Sequence, residues 1–245
     1  MMRGLILFIL LSACQAAQPV AQAEPSPCIA RNFEGSRFTV CDSNGGDIRL
    51  VAAGVDETAA RRFADLQQEI DSNRLAFAMN AGMFDEEGRP IGLAIVDGRQ
   101  VHAINRREGG GNFHLLPNGV FLVRKSGRAE VVEASAFKPA GDIRFASQSG
   151  PMLVIDGKLH PRFEPDGQSR YIRNGVGVRD GKALFVISQD PVSFGKLARF
   201  FRDELKTPNA LYFDGSVSSL WDPAGNRQDS HSPLGPMVVV LKPAG

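Results

Sequence analysis

The chain has 245 residues, 43% of them hydrophobic and 22% charged, proportions that suit a folded protein and exclude a disordered one. Its 28 basic residues against 27 acidic ones leave none of the basic surplus a nucleic-acid binder carries. No apolar run reaches the roughly 18–20 residues a membrane-spanning helix needs.

The elements follow in chain order. Arg3 and the apolar run 5–11 form the n-region and h-region of a secretory signal. Leu11-Ser12-Ala13-Cys14 is similar to a bacterial lipobox, which implies a lipoprotein-type signal over 1–13, cleavage before Cys14 and a lipid on Cys14. Gln15 then implies an outer-membrane lipoprotein facing the periplasm. Ala21-Gln22-Ala23 is the competing site, and cleavage there releases a soluble secreted protein. The lipobox is preferred because it directly follows the apolar run. Losing Arg3 from the 28 basic residues leaves 27 against 27 acids. Residues 14–27 read as a tether and 28–245 as one domain. Cys28 and Cys41 form an even pair in an oxidising compartment, which predicts a disulfide stapling the early strand 37–41. Buried free thiols are the alternative.

Asp56 can cap a helix over 57–71, with Ala59, Phe63, Leu66 and Ile70 on one face. Ser193 can cap a second over 194–205, with Phe194, Leu197, Ala198, Phe201 and Leu205 on one face and Pro208 beyond its end. Asp97-Gly98, Asp156-Gly157 and Asp180-Gly181 lie between apolar runs and predict hairpin turns. Pro117-Asn118-Gly119 predicts a turn before a strand over 120–124. The runs 75–79, 152–155, 183–187, 210–213 and 237–241 read as buried strands. The fold class is therefore α+β: mixed, largely antiparallel sheets with two main helices in a single domain.

The functional signal sits where apolar runs end in polar residues. Four segments carry it: Asn80-Ala81-Gly82-Met83-Phe84-Asp85 followed by Pro90-Ile91-Gly92-Leu93; Gln148-Ser149-Gly150-Pro151; Arg173-Asn174-Gly175-Val176-Gly177; and Asp214-Gly215-Ser216-Val217-Ser218. Their order and spacing resemble the phosphodiester glycosidase family, in its bacterial periplasmic branch, over about residues 45–242. The family pattern reads Asn-Gly-Gly-Phe-Phe, Pro-x-Gly-Leu, Gly-Pro, Arg-x-x-x-Gly and Asp-Gly-Gly/Ser-x-Ser. Ala81 and Met83 depart from it, and Ser216 and Val217 stand where glycines can follow Asp-Gly, which leaves the substrate open while keeping the fold.

The resemblance implies hydrolysis of an N-acetylglucosamine-type sugar 1-phosphodiester, with a phosphorylated or phosphodiester-linked carbohydrate as partner and no nucleic acid. A phosphate monoester is a good leaving group, so cleavage at C1 needs a cation for the phosphate and a carboxylate for the developing positive centre or for water. Arg173 is the candidate clamp, able to grip two oxygens, and Arg144 is a second cation. Asp214 is the candidate base or nucleophile, and Asn80 would orient substrate or water. Asp85 is a second carboxylate. Ser149, Gly150, Asn174, Gly215, Ser216 and Ser218 complete the substrate-binding set.

Each choice has a plainer alternative. Asp214-Gly215 is also a turn signature, and an arginine such as Arg173 more often pairs with a surface acid. Asp85 sits in a charged loop. His231 reads as a surface-loop histidine within reach of the site. Gly109-Gly110-Gly111 is a flexible loop, not a phosphate loop. No histidine pair has a metal spacing; Asp214 and Asn80 are suitable oxygen ligands for a divalent cation, but the sequence demands no cofactor. A non-catalytic glycan- or phosphoglycan-binding envelope protein is the second reading. A serine hydrolase using Ser149 or Ser216 with a histidine is the third, although no G-x-S-x-G elbow exists.

Overall fold

The computed structural model describes residues 25–53, 60–68 and 70–243. The signal 1–13, Cys14, the competing site at Ala21-Gln22-Ala23 and most of the tether lie outside them.

Three antiparallel sheets build the domain. The first runs, edge to edge, Cys28–Phe33, Ser36–Asp42, Lys182–Ser188, Asn174–Arg179, Asn209–Tyr212, Met152–Ile155 and Lys158–Leu159. The second orders Arg227–Gln228, Leu220–Asp222, Leu75–Asn80, Met237–Leu241 and Asp47–Val51. The third orders Arg99–His102, Ala94–Val96, Ile143–Ser149, Gly119–Arg124 and Ala129–Glu133. Every pairing between named strands is antiparallel, so the parallel component expected of a mixed sheet is not seen among the described residues.

The sheets share one central core. Phe185 and Leu211 of the first meet Phe77 and Val238 of the second and Phe121 and Phe145 of the third. The Phe77–Phe185 and Phe121–Phe185 rings pack edge to face at 5.4 and 5.6 Å. Each such buried ring contributes about 1.5–3 kcal/mol. The first sheet is also covered on its outer face, where Val40, Leu184 and Val186 meet Leu197, Phe200 and Phe201. That double burial is why its central strands read as continuous apolar runs.

The Asp-Gly hairpins form as expected. Asp97, Asp156 and Asp180 have φ of 47°, 47° and 55°, the left-handed conformation these tight turns require. Cys28 and Cys41 face each other across the first hairpin and are joined by a disulfide.

The helices are shorter than the sequence pattern suggests. Among the described residues of the expected 57–71 helix only Phe63–Leu66 is α-helical, starting after Arg62; Asp56, Glu57 and Ala59 lie outside the described residues. One turn is enough to set Phe63 and Leu66 against Trp221 and Met237, and a turn without further packing does not propagate. The second helix starts at Phe194, where the Ser193 side chain accepts from the Lys196 N–H at 3.1 Å as an N-cap. It is α-helical over Phe194–Arg199 and widens to a π-turn over Phe200–Glu204, where the Leu205 N–H reaches the Phe200 carbonyl. Phe200 and Phe201 are both buried within this wider turn.

Candidate active site

Antiparallel register carries the site together. Gly175 pairs with Tyr212 and Asn174 with Ile187, so the start of one strand lies beside the ends of two others. Arg173, Ser188 and the segment 212–214 thus meet at one sheet end. The second sheet joins there: Asn80 Nδ2 donates to the Asp214 carbonyl at 2.7 Å, and the Asp214 N–H donates to the Ala81 carbonyl at 2.9 Å.

A cavity of about 1200 Å³ opens at this junction, large enough for more than a single sugar ring. Its walls include Arg173, Tyr171, Tyr212, Ser169, Gly215, Ser216 and Ser218, with Asn112, Arg227, Asp229 and His231 on further segments.

Arg173 is the largest fully buried side chain, only 1% exposed. Its Nε donates to the Val192 carbonyl at 2.9 Å, Nη1 to Tyr212 Oη at 3.0 Å, and Nη2 to Ser169 O and Oγ, each at 3.1 Å. The guanidinium lies on the Phe194 ring at 3.7 Å from its centroid. Every one of these partners is neutral. Among the described residues no carboxylate pairs with Arg173, so the surface-pair alternative is overturned. A buried charge without a counter-ion is costly unless something anionic meets it. One Nη1–H of the five N–H groups keeps no partner among the described residues, so Arg173 offers one direct donor plus its charge, not the two-pronged grip expected from sequence.

Tyr212 carries the guanidinium at its hydroxyl, and burial pushes its phenol above the ordinary range, although Arg173 pulls the other way. A Cβ on Gly215 would fall 1.6 Å from Tyr212 Oη, so only glycine lets the hydroxyl reach Arg173.

Asp214 differs from the three hairpin aspartates. Its φ of −72° is extended, and it caps the short 3₁₀ turn Gly215–Val217. Its Oδ1 accepts from the Ser216 N–H at 3.2 Å and from Ser216 Oγ. Oδ2 has no partner among the described residues. Asp214 is half-buried and does not itself line the cavity, although Tyr212, Gly215 and Ser216 on either side of it in the chain do.

Asn80 and Asn174 form the layer behind. Asn174 Nδ2 donates to Asn80 Oδ1 at 2.9 Å, the Ser219 N–H donates to the same oxygen at 2.8 Å, and Ser218 Oγ donates to Asn174 Oδ1 at 3.1 Å. Both asparagines are buried and neither lines the cavity. Asn80 therefore positions the backbone of Asp214; the expectation that it orients substrate or water directly is corrected.

Other expected residues lie elsewhere. Arg144 projects from the third sheet into a different hollow, where Nη1 meets Asp47 Oδ1 at 2.7 Å; that partner neutralises it. Asp85 closes its own loop, with Arg89 Nε at 2.9 Å, and this contact together with backbone N–H donors holds its carboxyl below the usual range although burial pulls it up. Ser149 is buried at a strand end with an unpartnered hydroxyl, and Gly150 packs against Asn118. No histidine is hydrogen-bonded to Ser149 or Ser216, so neither serine belongs to an assembled serine–histidine pair in this structure.

The pattern also missed residues. Tyr171, Ser169, Asn112 and the Arg227–Asp229 ion pair (2.7 Å) line the cavity, and so does His231, which is both an exposed loop residue and a wall residue. The polar run 227–231 was a faint signal for three of them. Among the described residues no group of three or more potential ligands could hold a metal ion.

A family model described as phosphodiester glycosidase matches residues 73–241. The chain belongs to the phosphodiester glycosidase family. The match spans every segment that meets at the cavity. The uncharacterized protein YigE of Escherichia coli K12 is 38% identical over 168 residues, 68% of this chain and just under two thirds (66%) of that relative's length. Among solved structures, the zebrafish N-acetylglucosamine-1-phosphodiester alpha-N-acetylglucosaminidase catalytic domain, auto-inhibited by its pro-peptide, aligns with a TM-score of 0.60 at 14% identity, over 89% of this chain and 82% of that one. A hypothetical protein from Synechocystis aligns with a TM-score of 0.55 at 15% identity, over 88% and 61%. At those identities the likeness carries the fold.

Proposed function

We propose that this family member is an exported hydrolase that cleaves the glycosidic bond of a sugar 1-phosphodiester in envelope or extracellular glycans. The observation that carries the reading is Arg173: a fully buried guanidinium, held by neutral partners alone, on the wall of a cavity. Its missing counter-ion is the substrate's phosphate.

In this reading the C1–O bond breaks and its electron pair stays on the bridging oxygen. The phosphodiester monoanion thereby becomes a phosphate monoester with a second negative charge. Arg173 gains most at that moment, which is when stabilisation accelerates the step. Water supplies the new oxygen on C1 and gives up one proton. Asp214, with Oδ1 fixed by Ser216 and Oδ2 unoccupied, takes that proton or first attacks C1 itself. Asn80 and Asn174 hold its backbone still. Ser216 holds the Asp214 carboxylate through its hydroxyl, and Ser218 ties the cavity wall to Asn174.

The Cys28–Cys41 disulfide supports an oxidising compartment, and we place the protein in the periplasm, lipid-anchored through Cys14 at the outer membrane.

The test is turnover of N-acetylglucosamine 1-phosphate esterified to an aryl alcohol, followed by mass spectrometry of released sugar. Arg173→Met and Asp214→Asn should each lower kcat/KM, Asp214→Asn by about 10²–10⁴-fold with ligand binding retained. Unchanged turnover in both variants refutes the assignment. Saturable binding without release of sugar favours the phosphoglycan-binding reading instead.

A further inference from the structure

Three large apolar residues are exposed among the described residues: Ile29, Leu116 and Tyr171. Tyr171 is the most exposed, at 63%, and the one that lines the cavity. An aromatic left in water beside a binding hollow is a surface waiting for an apolar face.

Its backbone is fixed. The Tyr171 N–H donates to the Val192 carbonyl at 3.3 Å and the Val192 N–H donates back at 2.9 Å. The same Val192 carbonyl accepts from Arg173 Nε. Tyr171 and Arg173 are thus tied to one carbonyl, with the ring centroid 5.5 Å from the guanidinium carbon. Arg173 does not need this ring as its cover, because Phe194 already lies against it at 3.7 Å. The exposed ring is left over from the packing of the site.

We propose that Tyr171 is the stacking platform for the pyranose ring of the ligand, so that a sugar ring sits on Tyr171 while its anionic substituent meets Arg173. This rests on the glycosidase reading and deepens it by naming a sugar subsite. A pyranose presents a face of C–H groups that packs on an aromatic ring, and a hexose 1-phosphate joins that face to an anion. Inorganic phosphate would use Arg173 alone.

The test titrates N-acetylglucosamine 1-phosphate, glucose 1-phosphate and inorganic phosphate into full-length wild-type, Tyr171→Phe, Tyr171→Leu and Tyr171→Ala proteins by calorimetry. Leu keeps apolar bulk without a flat face; Phe keeps the face without the hydroxyl. The expected result is about a tenfold loss of sugar-phosphate affinity in Leu and Ala, retention in Phe, and unchanged phosphate affinity throughout. Undiminished sugar-phosphate binding by Tyr171→Ala overturns the proposal. Equal loss of phosphate and sugar phosphate also overturns it, because Tyr171 would then only be holding Arg173. So does a wild-type protein that binds neither sugar phosphate. Failure of the enzyme reading looks different: a selective Tyr171 effect in a wild-type protein that releases no sugar leaves the platform standing without the hydrolase.

Discussion

Replacing Arg173 by methionine should cut the protein's stabilisation by phosphate to at most about half. The wild-type guanidinium offers a buried charge and one spare N–H to an anion. A charge-assisted hydrogen bond contributes about 1.5–3 kcal/mol, so its loss weakens phosphate binding by roughly 10- to 150-fold. A phosphate concentration 100 times the wild-type Kd stabilises the wild-type fold by about 2.7 kcal/mol. For a domain of this size that raises Tm by roughly 5–10 °C. At the same concentration the variant should shift by at most about half as much. Methionine can still lie on Phe194, although the Tyr212 hydroxyl loses the Arg173 donor and the Val192 carbonyl keeps only the Tyr171 N–H. The baseline Tm of the variant is therefore set by opposing effects, and the phosphate response is the informative quantity. Thermal unfolding followed by circular dichroism, with and without phosphate at constant ionic strength, reads it. A wild-type Tm that ignores phosphate, or a variant that responds equally, refutes the reasoning.

Other consequences follow from the same geometry. Gly215→Ala should push the Tyr212 hydroxyl off Arg173 and weaken phosphate binding at least about tenfold, as calorimetry would show; wild-type affinity would mean that Tyr212 does not hold the guanidinium. Removing the disulfide by Cys28→Ser and Cys41→Ser together, which opens a 13-residue separation, should cost about 2–3 kcal/mol in denaturant unfolding and leave phosphate affinity unchanged. His160 is buried and neutral, and burial lowers its pKa below the ordinary 6.5. Its contribution to stability is present above pH 6.5 and is lost as the pH falls below that toward the depressed value. His160→Phe, which keeps the stack on Phe163, should flatten the fall of Tm on acidification below pH 6.5, and an unchanged acid slope would exclude His160 as its cause.

The parts of this molecule that were legible in its sequence are those set by local chemistry. Asp-Gly pairs force positive φ, so the three hairpins could be read directly. Ser193 has a hydroxyl at an N-cap position, so the second helix began where expected. The first helix misled because periodicity records which residues are apolar, not how much neighbouring structure exists to cover them. Arg144 misled because its partner, Asp47, is 97 residues away. The family pattern singled out Asp214 and Arg173, yet it could not separate wall from scaffold: Asn80 and Asn174 belong to the layer behind. Tyr171 escaped notice because exposure is a tertiary property. The distinction between Asp214-Gly215 and the other Asp-Gly pairs lay in a backbone angle and in a hydroxyl 1.6 Å from an imagined Cβ, neither visible in a string of letters.

In the proposed reaction the bond broken is the one between C1 and oxygen. Hydrolysis of an aryl N-acetylglucosamine 1-phosphodiester in ¹⁸O-labelled water tests it most directly. The label should appear in the released N-acetylglucosamine and not in the phosphate monoester. Label in the phosphate would mean attack at phosphorus, and the glycosidase assignment would be wrong.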